Sequence, residues 1–148
     1  MTISISFRFY TPEDREACLA IFDDNCPEFF ALNERVDYAQ FLDSVPTEYE
    51  VCILDGVIVG AFGLVGKEQE WRELNWILIS PKVQGLGIGS IIVKRVVSIG
   101  KAAKLMGLKI AASHLSAPFF AKHGATHIRE VENGWGIGMH RIDMELKI

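Results

Sequence analysis

Val83-Gln84-Gly85-Leu86-Gly87-Ile88-Gly89-Ser90 stands between two patterns of different period. Before it runs Trp76-Ile77-Leu78-Ile79, a short apolar segment broken at Ser80-Pro81. After it, Ile88, Ile92, Val96, Ile99 and Ala103 recur at intervals of four, four, three and four, which is one face of a helix. The stretch therefore reads as strand, tight glycine turn, helix. Such a turn leaves the first helical N–H groups unpaired at the positive end of the helix dipole, and glycines remove the Cβ atoms that would block an anion. A phosphate or pyrophosphate is the expected occupant.

Two nucleotide-binding readings fail on detail. No Gly-Lys-Ser/Thr closes the turn, and the turn lies mid-chain rather than after a first strand, where a dinucleotide fold would have it. The 148 residues suit a single domain, 1–148, with a full hydrophobic core. A hydrophobic share of 49% with 23% charged residues belongs to a soluble globular chain. A net charge of −4 without a Lys/Arg cluster argues against nucleic acid as a partner. The longest apolar run, Val57 to Gly66, is about half of a membrane span, and no signal peptide is legible, so no membrane is expected and a cytoplasmic location is. Cys18, Cys26 and Cys52 have no metal-like spacing and read as reduced thiols.

Ile3, Ile5, Phe7 and Phe9 alternate with polar residues as a strand, and Thr11-Pro12-Glu13-Asp14 starts a helix that ends near Asn25-Cys26-Pro27. Glu28 to Val45 is expected to be helical; its acids Glu28, Glu34, Asp37 and Asp43 are either a solvated face or an acidic, aromatic-rimmed wall beside a binding site. Glu50–Leu54 and Val57–Val65 flank Asp55-Gly56 as a hairpin. A polar loop, Gly66 to Glu70, leads to a strand over Trp71–Ser80. The helix after the glycine turn is expected to stop near Met106-Gly107. Next come a strand over Leu108–Ala112, a short helix over Ser116–His123, a strand over Thr126–Val131, a loop over Glu132–Gly138 and a last strand over Met139–Lys147. This order is α/β with a mixed sheet.

The glycine stretch resembles the pyrophosphate loop of the GNAT superfamily of acyl-CoA N-acyltransferases, Gln/Arg-x-x-Gly-x-Gly/Ala, with Gln84, Gly87 and Gly89 at its defined positions. The order of elements resembles that fold along nearly the whole chain. The resemblance implies a mostly antiparallel twisted sheet of about seven strands with helices on both faces, the fourth strand splayed from the fifth. It implies acetyl-CoA as cosubstrate, held by Gln84, Gly85, Leu86, Gly87, Ile88, Gly89 and Ser90, by strand-four backbone at Ile77, Leu78 and Ile79, and by Ser113 and Phe120. The Ile77 N–H would donate to the thioester carbonyl. Family members carry Tyr in a Phe-Tyr-x-Lys-x-Gly pattern as general acid; here Phe119-Phe120-Ala121-Lys122-His123-Gly124 has Phe120 at that position. A thiol with a pKa near 8.5 departs with little help, and Ser113, Ser116 or water stand as alternative donors.

An alkylamine with a pKa of about 10.4 must lose a proton before it attacks. Glu73 lies four residues before Ile77 on the same strand, so period two is expected to put both side chains on one face, and the resemblance adds that the histone-acetylating branch uses a Glu at this spacing as base. The other reading is an exposed Glu beside Arg72. His114, His123 and His140 are further candidates. His123 and His127 have a metal-like interval, but Gly124 interrupts any helix between them, so no metal is assigned. Trp135, between glycines, either covers the acceptor or plugs the end of the sheet. The expected activity is direct acetyl transfer in a ternary complex to a primary amine of a small molecule or peptide. A protein lysine or N-terminal acetyltransferase and a non-catalytic acyl-CoA binding module are the alternatives, and a homodimer is compatible with either.

Overall fold

The computed structural model describes residues 4–26, 28–66, 70–83 and 85–148. Of the expectations above, those on Ile3, Pro27, residues 67–69 and Gln84 lie outside the described residues. In chain order the elements are β1 (Ile5–Phe9), α1 (Arg15–Asp24), α2 (Glu34–Asp43), β2 (Tyr49–Leu54), β3 (Val57–Val65), β4 (Trp71–Ile79), α3 (Ile88–Ala102), β5 (Gly107–Ser113), α4 (Ala117–Lys122), β6 (Thr126–Gly136) and β7 (Met139–Lys147). Short 3₁₀ turns precede α1 and α3. The strands form one sheet in the order β1-β2-β3-β4-β5-β7-β6, with every pairing antiparallel except β4 with β5.

Alternation along the strands sends residues to two separate cores. On one face Ile88, Ile92 and Val96 of α3 and Phe120 of α4 pack on Leu64, Leu74, Leu108, Ile110, Ile142 and Met144. The expected α3 face is thus buried from Ile88 through Val96; each such aliphatic side chain contributes about 1.5–3 kcal/mol. On the other face Leu19 and Phe22 of α1 and Tyr38 and Leu42 of α2 pack on Tyr49, Val51, Ala61 and Leu78. That second core contains no residue of β5, β6 or β7, so half of the sheet has its second face free for other work.

Three expected boundaries move. The helix expected over Glu28–Val45 covers only Glu34–Asp43, because the chain before it is held in turns: the Ala31 N–H donates to the Glu34 carboxylate at 2.7 Å and Phe29 N–H to Asn25 O at 2.8 Å. α3 ends at Ala102 rather than near Gly107, where Lys104 takes a left-handed φ of 58° and the Leu105 N–H returns to Gly100 O. Gly107 instead begins β5. The loop expected over Glu132–Gly138 is mostly strand: β6 runs to Gly136, its register against β7 shifting between Val131 and Gly136.

Candidate active site

β4 and β5 pair only from Trp71 opposite Gly107 to Leu74 opposite Ile110. Beyond that point β5 stays with β7 as far as Ser113 while β4 stays with β3, so the two parallel strands part. The wedge between them opens a cavity of about 1170 Å³, larger than the roughly 300–1,000 Å³ usual for a small ligand. It takes in Ile77, Leu78 and Ile79 from β4, Ser113 at the end of β5, and Gly85, Gly87, Ile88, Gly89 and Ser90 beyond the strand end. Glu73 and Phe120 also line it, whereas Leu86 points away, exposed.

A bulge interrupts β4 within the wedge. Asn75 faces Gly63 and Leu78 faces Ala61, so Trp76 and Ile77 together oppose Phe62. Trp76 carries the extra residue with φ 43°, a left-handed value that costs a bulky side chain about 1–3 kcal/mol. Its carbonyl accepts the Tyr49 hydroxyl, which Tyr38 meets at 2.9 Å, both rings fully buried. The C=O and N–H of a trans peptide point in opposite directions within its plane, so with the Trp76 carbonyl turned to Tyr49 the Ile77 N–H is aimed the other way, and Ile77 has no opposite residue in the register of β3 or β5.

The bulge corrects one expectation. Opposite residues share a face, so Glu73, Asn75 and Leu78 follow Val65, Gly63 and Ala61 toward the α1/α2 side. Ile77 and Ile79 pack instead with the α3 core. The Glu73 and Ile77 side chains are therefore on opposite faces: the extra residue reverses the parity that the spacing implied.

At the far end of the wedge, α3 begins without a side-chain cap, and its first intrahelical bond is Ile91 N–H to Gly87 O. The amides of Ile88, Gly89 and Ser90 precede that bond and are the unpaired donors of a helix start. Gly87 sits at φ 74° with open space where a Cβ would project, so the amides are reachable. Gly89 is glycine for another reason: a Cβ there would meet the Phe119 ring at 2.8 Å.

The sequence pattern of the acetyltransferase (GNAT) family matches residues 18–125. This chain belongs to the GNAT acetyltransferase family. It is an acyltransferase, and the fold is one that uses acetyl-CoA. No curated protein sequence matches it. Among solved structures it is similar to Ard1 from Thermoplasma volcanium (14% identity, TM-score 0.81, covering 97% of each chain). It is also similar to an N-acetyltransferase from Staphylococcus aureus Mu50 (19% identity, TM-score 0.72, 97% of this chain and 98% of that one). A third is a Mycobacterium tuberculosis protein crystallised with CoA (19% identity, TM-score 0.73, 97% of this chain and 99% of that one). At these identities the likeness is one of fold. The seven-stranded mixed sheet with parallel β4 and β5 is the expected GNAT architecture.

Other residues of this GNAT domain take roles that their spacing did not suggest. Phe120, at the family's Tyr position, is both cavity wall and part of the α3 core, 5% exposed. Ser113 and Ser116 bond to each other's backbone N–H at 3.0 Å, with hydroxyls 3.1 Å apart, and so build the turn between β5 and α4. His123 stands at the helix-start end, 3.2 Å from the Ser90 hydroxyl, away from Glu73. His140 is a satisfied residue: its Nδ1 accepts the Asn133 N–H, and its ring packs 4.7 Å from that of His114. Trp135 is fixed in β6, its indole N–H donating to Ala112 O at 2.9 Å while the ring lines the cavity. Among the described residues no group of His, Cys, Asp and Glu could hold a metal ion, and no helix is long and apolar enough to cross a membrane. The three cysteines are free.

Glu34 is the residue whose placement the sequence left open. Its face toward the sheet is set by the helix period, Glu34 and Tyr38 being one turn apart, but only the fold brings that face to the cavity. It is 6% exposed, and burial pushes its carboxyl up to about 7 against the opposing pull of the Ala31 N–H, with Asp37 adding to the rise. Its fellow acids Glu28, Asp37 and Asp43 are exposed, so the acidic segment divides into one inward carboxylate and a solvated face.

Proposed function

We propose that this chain transfers an acetyl group from acetyl-CoA to the primary amine of a small molecule or peptide, by direct attack in a ternary complex. The carrying observation is the left-handed bulge at Trp76, which turns the Ile77 N–H into the β4/β5 wedge at one end while the uncapped start of α3 stands at the other. The bound thioester supplies the activated acyl group. The amides of Ile88, Gly89 and Ser90 suit the pyrophosphate, and the strand edge from Ile77 to Ile79 offers backbone partners to the extended arm. As the amine attacks, charge gathers on the carbonyl oxygen, where a preorganised N–H from Ile77 stabilises it.

Glu73, on the acceptor side of the sheet, takes the amine proton through ordered water. Phe120 packs against the coenzyme and gives no proton, so the thiolate leaves unaided, as its low basicity allows. The test is a panel of primary amines with acetyl-CoA, read by released thiol and by mass of the acetylated amine. Thiol release that is independent of amine sinks the transfer reading, as does tight coenzyme binding with no release on any amine.

A further inference from the structure

The cavity is charged on its acceptor side, and most of that charge cancels locally. Asp143 receives Arg129 and Arg141 together, at 2.8 to 3.4 Å, and Lys109 stands opposite Glu73 in the β4/β5 register and opposite Glu145 in the β5/β7 register. Glu34 is different: among the described residues it has no ion-pair partner. Glu34 stands on the first turn of α2 and Glu73 on β4, and Phe30 and Trp76 line the same cavity. Phe30 stacks on Trp76 with centroids 6.5 Å apart, and Trp76 packs at 4.8 Å on Tyr38, one helical turn or about 6 Å along α2 from Glu34.

The start of α2, next to Glu34, is also tied to the sheet. The Asn33 side-chain amide donates to Trp135 O at 3.0 Å, and Gly136 lies so close to Ala31 and Asn33 that a Cβ there would meet them at 2.8 and 2.5 Å. This contact joins the end of β6 to the start of α2. Next to Asn33 in sequence, Glu34 accepts a hydrogen bond from the Ala31 N–H on its carboxylate and lines the cavity.

We infer that the acceptor is a diamine-like molecule: one amine reacts beside Ile77 and Glu73, an apolar stem lies along Phe30 and Trp76, and a second cationic group is held by Glu34. This specificity rests on the transferase reading above. A carboxylate whose pKa burial has raised is one whose charge lacks compensation, and a cation brought to it restores that compensation. The aromatic faces add cation–π attraction for the same guest.

The test compares 1,5-diaminopentane with pentylamine, equal in stem and differing in the distal ammonium, on the wild type and Glu34→Gln. Gln retains a carbonyl oxygen for the Ala31 N–H, so the start of α2 persists. The wild type is expected to favour the diamine by at least tenfold in kcat/KM. Glu34→Gln should abolish that preference by raising KM for the diamine at least tenfold more than KM for pentylamine. Equal use of both amines by the wild type, or an equal loss on both in the variant, overturns the assignment. If neither amine releases thiol, the transferase reading fails separately, and calorimetric titration of both amines in the presence of CoA still decides the role of Glu34. Diamine binding that does not depend on Glu34 refutes it.

Discussion

Replacing Glu34 with Gln should make the protein more stable at pH 8, although the residue lies in the functional cavity. The folded carboxyl has a pKa of about 7 against an ordinary 4.5. A raised carboxyl contributes stability that is complete below the unfolded pKa and lost as pH climbs through the folded one. The loss therefore runs from about pH 4.5 to somewhat above 7. Each pH unit between two pKa values is worth about 1.4 kcal/mol, so the charged form costs the fold about 3 kcal/mol at pH 8. Solvent screening reduces this little at 6% exposure. Gln avoids the charge but must bury an amide N–H₂, so a net gain of about 1–2 kcal/mol is expected, or roughly 2–8 °C in Tm for a domain of this size. Thermal unfolding of both proteins from pH 4 to 8 measures it. The variant should be the less stable by about 1–2 kcal/mol at pH 4, where wild-type Glu34 is largely protonated in both states, and the order should reverse as pH rises from about 4.5 to 7. A gap that is constant with pH, or a less stable variant at pH 8, would show that Glu34 is compensated in the fold.

Other outcomes follow from the wedge. Tyr49→Phe removes the hydroxyl that holds the Trp76 carbonyl; a loss of about 1–3 kcal/mol of stability and a fall of tenfold or more in kcat, with KM for acetyl-CoA nearly constant, are expected from chemical denaturation and steady-state kinetics. Gly87→Asp puts a carboxylate before the α3 amides at a position with steric room; calorimetry should register at least a tenfold weaker coenzyme with the fold retained, and unchanged binding would make the turn a packing device. Glu73→Gln should lower turnover on a strongly basic amine by about a hundredfold with coenzyme affinity intact, the loss shrinking for weakly basic amines; wild-type rates would remove Glu73 from the chemistry. Phe120→Tyr should bind coenzyme within a few-fold of the wild type and turn over at least as fast; slower turnover would mean that the added hydroxyl disturbs the core it shares with α3.

The order of elements, the hairpin at Asp55-Gly56 and the buried stripe of α3 were legible in the sequence because each rests on local signals: side-chain period and glycine conformation. The glycine turn was legible for the same reason, since an uncapped helix start is a property of a few consecutive residues. What the sequence could not specify is where separate elements meet. The bulge at Trp76 depends on Tyr49, twenty-seven residues away, holding a carbonyl that alternation alone would leave in the ladder, and that one peptide decides where the Ile77 N–H points. The same extra residue put Glu73 on the opposite face from the one its spacing implied. The four-residue spacing of Glu34, Tyr38 and Leu42 sets them on one face of α2, yet an acid on that face has no meaning until β4 and β5 part to open the cavity it lines and the Asn33–Trp135 contact, 102 residues apart in sequence, ties the start of α2 to the sheet. Periodicity assigns residues to faces. Contacts between distant segments, whose energies no local pattern encodes, decide which of those faces becomes an active site.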